Sequence, residues 1–215
     1  MRTRIIRYTL WWLFLPSMSM VRDLVLEFKM GAFLPTASLY KDIYGAASLF
    51  YNPECMIQLK DQKPWHLFFS ALYTSKRGHS VGYDTPTKIE IIPLGIGLKY
   101  AISFYNGTFY VGLGFQPAYL RTFNSSEFIQ QQTAKWGMGG IAKLGYYLDL
   151  SQNFSMNLFC DYSFVHVGSR HVYYGNKSCC SSSPFSNSCI NDQFVVPFTS
   201  NISGALIGVG LGYSF

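Results

Sequence analysis

The 215-residue chain has the length of one domain, yet only 13% of its residues are charged and 18% are aromatic. A water-soluble domain with so few charges struggles to cover its surface, and no apolar run of about 18 residues offers a helical membrane span. The formal charge of +6 includes Arg2, Arg4 and Arg7 and falls to +3 without those three; with no basic stripe, recognition-helix pattern or zinc spacing, nothing points to nucleic-acid binding.

Lipid tolerates helices and closed barrels, because every backbone polar group must be paired internally. The composition therefore points to a barrel, and the elements follow in chain order. Arg2, Arg4 and Arg7 form a positive n-region before the short apolar stretch Tyr8 to Leu15. Pro16 breaks that stretch, and Ser17-Met18-Ser19 sets small residues at a cleavage site before Met20. Residues 1–19 are expected to be an export signal peptide, and 20–215 the barrel domain.

Alternation of apolar and small or polar residues marks eight strands. The first, Leu24–Leu34, sets Leu26, Phe28 and Met30 against Glu27, Lys29 and Gly31. The second, Glu54–Lys60, sets Cys55, Ile57 and Leu59 against Glu54, Gln58 and Lys60. The third, Trp65–Thr74, carries Trp65, Leu67, Phe69, Ala71 and Tyr73 on one side. In the fourth, Lys88–Ile102, Ile92 to Tyr100 alternate with Gly95, Gly97 and Lys99. The fifth, Thr108–Arg121, sets Phe109, Val111, Leu113 and Phe115 against Gly112, Gly114 and Gln116. The sixth, Lys135–Leu150, places Lys143 and Asp149 opposite Leu144 and Tyr146, and the seventh, Phe154–Gly168, places Asn157 and Asp161 opposite Leu158 and Cys160. In the last strand Ala205, Ile207, Val209, Leu211, Tyr213 and Phe215 share a face, opposite Gly204, Gly208, Gly210, Gly212 and Ser214, with Leu206 as the exception. A helix would scatter these glycines at a cost for each, whereas a crowded lumen accepts them.

The turns at 61–64, 105–107 and 151–153 are tight, and Asn106-Gly107 is a strong hairpin signal. The alternate connections, near 35–53, 75–87, 122–134 and 169–200, are longer and polar. Short turns alternating with long loops are the asymmetry of an up-and-down transmembrane β-barrel, with short periplasmic turns and longer extracellular loops. A soluble lipocalin-like ligand-binding barrel is the competing architecture, but it would turn its apolar face inward.

The face opposite the lipid holds Glu27, Lys29, Glu54, Lys60, His66, Glu90, Lys99, Lys143, Asp149 and Asp161. In a lumen just wide enough for side chains these form a charge network, read as a salt-bridged plug; the other reading is a gate opened by exchange of partners. His166, Ser169 and His171 cluster where the seventh strand meets its loop, with Asp161 below, but no spacing brings nucleophile, base and orienter together, so an enzyme is not expected. No phosphate loop, metal spacing or cofactor signature is present.

Cys55 and Cys160 fall on the lipid face as small hydrophobes. Cys179, Cys180 and Cys189 share the longest loop of an exported chain. Cys189 bridged to Cys179 or Cys180 would leave one thiol, either free or linked to a neighbouring molecule. Aromatic residues, among them Trp65, Tyr100, Tyr147 and Phe154 at one end and Tyr73, Tyr119, Trp136 and Phe164 at the other, are placed as interfacial girdles.

Val209-Gly210-Leu211-Gly212 followed by Tyr213-Ser214-Phe215 resembles the aromatic-ended closing strand of outer-membrane proteins. The resemblance implies that Tyr213 and Phe215 carry the signal read by the barrel-assembly machinery. Met30-Gly31-Ala32-Phe33-Leu34-Pro35 leading to Asp42-Ile43-Tyr44-Gly45, Ile92-Pro93 to Lys99-Tyr100, and Lys135-Trp136-Gly137-Met138-Gly139-Gly140 extend the likeness to small eight-stranded porin-like barrels of the OmpA/OmpW type. It implies residence in the cell outer membrane among its lipid, but not an activity. The chain stops at the last strand, so no cell-wall tether is expected. A structural or surface-interaction role is the expectation, with a narrow channel or carrier for small, hydrophobic solutes as the alternative.

Overall fold

The computed structural model describes residues 24–59, 64–79, 85–104, 106–125, 132–174 and 193–215, with the backbone alone for 169–174 and 193–200. The signal peptide expected at 1–19, Lys60, and the loop cysteines Cys179, Cys180 and Cys189 lie outside the described residues.

The strands are β1 (Leu24–Pro35), β2 (Ser48–Gln58), β3 (Trp65–Ala71), β4 (Tyr73–His79), β5 (Pro86–Phe104), β6 (Gly107–Phe115), β7 (Ala118–Asn124), β8 (Gln132–Asp149), β9 (Phe154–Tyr174), β10 (Gln193–Asn201) and β11 (Gly204–Ser214). A short helix, α1 (Ser38–Tyr44), lies between β1 and β2. β3 runs on into β4, β6 into β7 and β10 into β11, so eight staves result. All pairings are antiparallel, and the ring closes from β1 through β2, β3, β5, β6, β8 and β9 to β11 and back to β1. Closure removes the edge that an open sheet would expose.

Two interruptions have a shared cause. Pro93 and Pro117 have no N–H to complete the ladder. Leu72 N–H still donates to the Pro93 carbonyl at 2.9 Å, and Leu94 N–H to that of Pro117 at 2.8 Å. The pairing therefore skips a step while the inside–outside alternation continues through it.

Most strands reach further than their sequence pattern indicates. β2 starts at Ser48, not Glu54, and takes in Asn52-Pro53, a pair that reads locally as a loop; Pro53 lies opposite Phe28. The remainder of the expected 35–53 loop is largely α1, which Gly45 ends at φ 87° while its N–H donates to the Lys41 carbonyl at 2.8 Å. Tyr40 of α1 packs edge-on against Phe33 at 6.0 Å, and burial there pushes its hydroxyl up to about 12. The 169–200 segment loses both ends to pairing between β9 and β10, from Gln193 opposite Tyr174 to Asn201 opposite His166. β9 has 21 residues. At ~3.3 Å per residue that length is about twice a bilayer core of ~30 Å, so the β9–β10 hairpin continues beyond it.

Across the central band the outward face is apolar on every stave. Leu26, Phe28 and Met30 on β1, Leu94, Ile96 and Leu98 on β5, and Ile207, Val209 and Leu211 on β11 are all exposed. Aromatic pairs flank this band: Trp65 with Tyr100 and Phe154 with Tyr213 at the short-turn end, Tyr119 with Trp136 and Tyr162 with Phe164 at the other. A soluble barrel has the opposite sidedness. Cys55 and Cys160 are free thiols on this face.

Candidate functional site: the filled lumen

The lumen has two halves. On the short-turn side, β1 supplies Glu27 and Lys29, β2 Glu54, β5 Lys99, β8 Lys143 and β9 Asp161, each at most 3% exposed. Three carboxylates thus face three ammonium groups. Glu54 is the hub: its Oε2 accepts from Lys143 at 2.8 Å and Lys29 at 3.3 Å, and its Oε1 pairs with Lys99. Lys143 also reaches Asp161 at 3.2 Å, and Lys29 lies 3.6 Å from Glu27. Burial of charge is tolerated only when the remaining lone pairs and protons are met as well, and here they are. Tyr147 Oη donates to Glu27 at 3.0 Å and accepts from Lys99 at 3.0 Å. Asn157 holds Glu27 and Tyr110, and Asp161 takes the Leu144 N–H at 3.3 Å.

Aromatic faces complete the lysine shells. Lys99 Nζ stands 4.3 Å from the Tyr110 ring centroid, Lys143 Nζ 4.8 Å from that of Phe68, and Lys29 Nζ 5.0 Å from that of Phe159. Glycines make the space for these groups. A Cβ at Gly145 would lie 2.5 Å from Tyr110 Oη, one at Gly114 2.6 Å from Phe68, and one at Gly210 2.6 Å from Glu27 Oε1.

The loop-side half is filled mainly by hydrocarbon, with Ser48, Thr74, Thr87, Gln116 and Ser163 buried among it and hydrogen-bonded. Phe33, Leu72, Ile89, Ile91, Leu120, Ile141, Val165, Val167, Ile202 and Leu206 are buried there in one continuous cluster. Its interior void is about 10 Å³, at most one water's worth. The periplasmic-type mouth instead holds a cavity of about 170 Å³ lined by His66, Asp149, Ser155 and Thr108, with Lys99, Tyr110 and Tyr147 at its floor.

Several expected network members lie elsewhere. Glu90 faces outward, because β5 alternates Ile89 and Ile91 inward with Glu90 and Ile92 outward; it pairs with Lys88 at 2.6 Å. Asp149 is exposed at the mouth and His66 lines it, so neither joins the buried cluster. Tyr147, expected in a girdle, faces the lumen. Tyr110 and the apolar lining of the loop side are the members the sequence did not single out, and Asn157, placed on the inner face, was not expected in the charge network. Their signal was strand parity, which places Tyr110 beside Gly112 and Ile141 beside Lys143. His166 is exposed outside β9 whereas Asp161 is buried inside, so those two cannot share a site. No group of metal-ligating side chains occurs among the described residues.

Against known proteins, neither a family model nor a curated protein matches the chain. Solved structures do. Ail, the attachment invasion locus protein of Yersinia pestis, in complex with the heparin analogue sucrose octasulfate, aligns over 91% of this chain and 100% of its own, at 13% identity and a TM-score of 0.51. The N-terminal β-barrel domain of Pseudomonas aeruginosa OprF aligns over 90% and 98%, at 13% identity and a TM-score of 0.50. The fold is that of a small outer-membrane β-barrel. Its apolar exterior and paired aromatic girdles give the same placement from chemistry alone, with the short turns and Tyr213 and Phe215 at one interface and the long hairpins at the other.

Proposed function

We infer that the chain is an outer-membrane barrel with a structural or surface-interaction role, closed to solute flow. The observation that supports this is the lumen filled at two levels, by a charge-balanced cluster and then by a close-packed, mainly apolar layer with a void of about 10 Å³. A channel needs a continuous polar path, and a hydrocarbon layer opposes both water and ions. The loop-side hairpins, the β9–β10 hairpin foremost, then present the contact surface. Export by residues 1–19 and assembly through Tyr213 and Phe215 belong to the same reading.

The test has two steps. Outer-membrane fractions run cold and boiled in SDS should show a heat-dependent mobility shift, because a closed barrel resists SDS when cold. The same protein in a planar bilayer should give no steady single-channel steps. Regular steps would overturn the closed reading, and recovery in the soluble fraction without a shift would overturn the membrane placement.

A further inference from the structure

The outward face changes character at the loop-side ends of β4, β5, β7 and β8. Tyr119 and Trp136, register partners with rings 5.2 Å apart, belong to the girdle. Beyond them along the same outward face come Arg77, Lys88 and Arg121. Arg77 is directly opposite Lys88, Lys88 opposite Phe123, and Glu90 opposite Arg121. The Arg121 guanidinium lies 4.5 Å from the Phe123 ring centroid and Lys88 Nζ 5.8 Å from it. The Gln132 amide sits beside Arg121 as well.

Among the described residues of this face Glu90 is the only carboxylate, and Lys88 holds it at 2.6 Å. Like charges directly opposite one another destabilise a strand pair. The Arg77–Lys88 pair, with Arg121 one strand over, is therefore a surplus of positive charge at the height where the apolar band gives way to headgroups. An aromatic girdle marks that height. The group that meets side chains there is a lipid headgroup, and the anion within it is phosphate. A guanidinium matches phosphate in a bidentate fork and an ammonium meets it as a point charge.

We propose that Arg77, Lys88 and Arg121 form a docking site for the anionic phosphate of lipid headgroups at the loop-side interface. The site rests on the reading of the chain as a membrane barrel. It also gives the outward position of Glu90 a role: bound to Lys88 and facing Arg121, it holds the cations in one patch while leaving their sum positive.

The experiment measures spin-labelled lipids around the full chain in phosphatidylcholine vesicles. Labelled phosphatidic acid should be motionally restricted by the protein about two- to fivefold more than labelled phosphatidylcholine. The triple variant Arg77→Gln, Lys88→Gln, Arg121→Gln should lose most of that preference. The pair Lys76→Gln, Lys135→Gln, on the lumen-side parity of the same strands, should keep it. An unchanged preference in the triple variant, or equal loss in the control pair, overturns the site. Abolition of the preference by millimolar inorganic phosphate would assign the patch to soluble anions and overturn the lipid assignment. Each variant is first checked for the heat-dependent SDS shift. Loss of that shift in the unmodified chain is failure of the barrel reading itself, whereas a shift without lipid preference is failure of this proposal alone.

Discussion

The two halves of the lumen solve one packing problem with opposite chemistry. The short-turn half places three lysines and three carboxylates where hydrocarbon would fit, and the loop-side half places mainly hydrocarbon, with a few paired hydroxyls, where a pore would place water. In the charged half each group depends on its partners, because an unpaired buried charge is worth several kcal/mol of penalty. In the hydrocarbon half each group contributes mainly its own area and contacts, and loss of one leaves the others in place. Failure in the first half is therefore collective, and in the second half local.

The sharpest way to break this contrast is Glu54→Gln. It leaves Lys29, Lys99 and Lys143 facing only Glu27 and Asp161, and should cost about 3–5 kcal/mol, read as a fall in the urea midpoint of the cold SDS-resistant band in vesicles. Adding Lys143→Gln restores the balance of charge, so the double variant should be more stable than the sum of the singles by about 0.5–3 kcal/mol. Strict additivity would mean that the cluster is a set of independent contacts.

Leu206→Ala tests the other half. The side chain is 1% exposed, yet it borders the void of about 10 Å³ and has fewer contacts to lose than a residue in a fully packed shell. The loss should be at the low end of the usual range, about 2 kcal/mol. Pairing it with Val165→Ala should lower the urea midpoint further without producing steady conductance steps, because the charged layer remains. Steps from this pair alone would make the hydrocarbon the sole barrier.

Much of this fold is legible in the sequence because membrane-barrel strands carry a period of two on both faces. Glu27, Lys29, Lys99, Lys143 and Asp161 could be placed by counting alternate residues from Phe28, Leu98, Leu144 and Leu158. Its charge, not the counting, misplaced Glu90, since the inner residues of β5 change from Gly95, Gly97 and Lys99 to Ile89 and Ile91 halfway along with the parity unbroken. A charge among isoleucines reads as the polar member of an alternating pair, although parity places it outside. The hydrocarbon half was hidden for the same reason: once lipid claims one apolar face, apolar residues on the other face look like exceptions, as Leu206 did. α1 has seven residues and no side-chain cap, too little for a helical period to register. Which lysine meets which carboxylate depends on barrel stagger, a property of closure rather than of any one strand.

The smallest effect separates two tyrosines whose rings are 4.8 Å apart. Both border the cavity of about 170 Å³, but Tyr110 is fully buried and its hydroxyl accepts from Asn157 at 3.0 Å, while Tyr147 is partly exposed. Tyr110→Phe leaves the fully buried Asn157 one partner short, and should cost about 1–3 kcal/mol. Tyr147→Phe removes hydrogen bonds to Glu27 and Lys99, but the adjoining cavity of about 170 Å³, with His66, Thr108 and Ser155 in its lining, is roomy enough for water to replace the lost hydroxyl. Its cost should fall to about 0.5–1 kcal/mol on the same urea assay. Equal losses would mean that water does not reach the floor of the mouth, and that the charged layer is sealed from both sides.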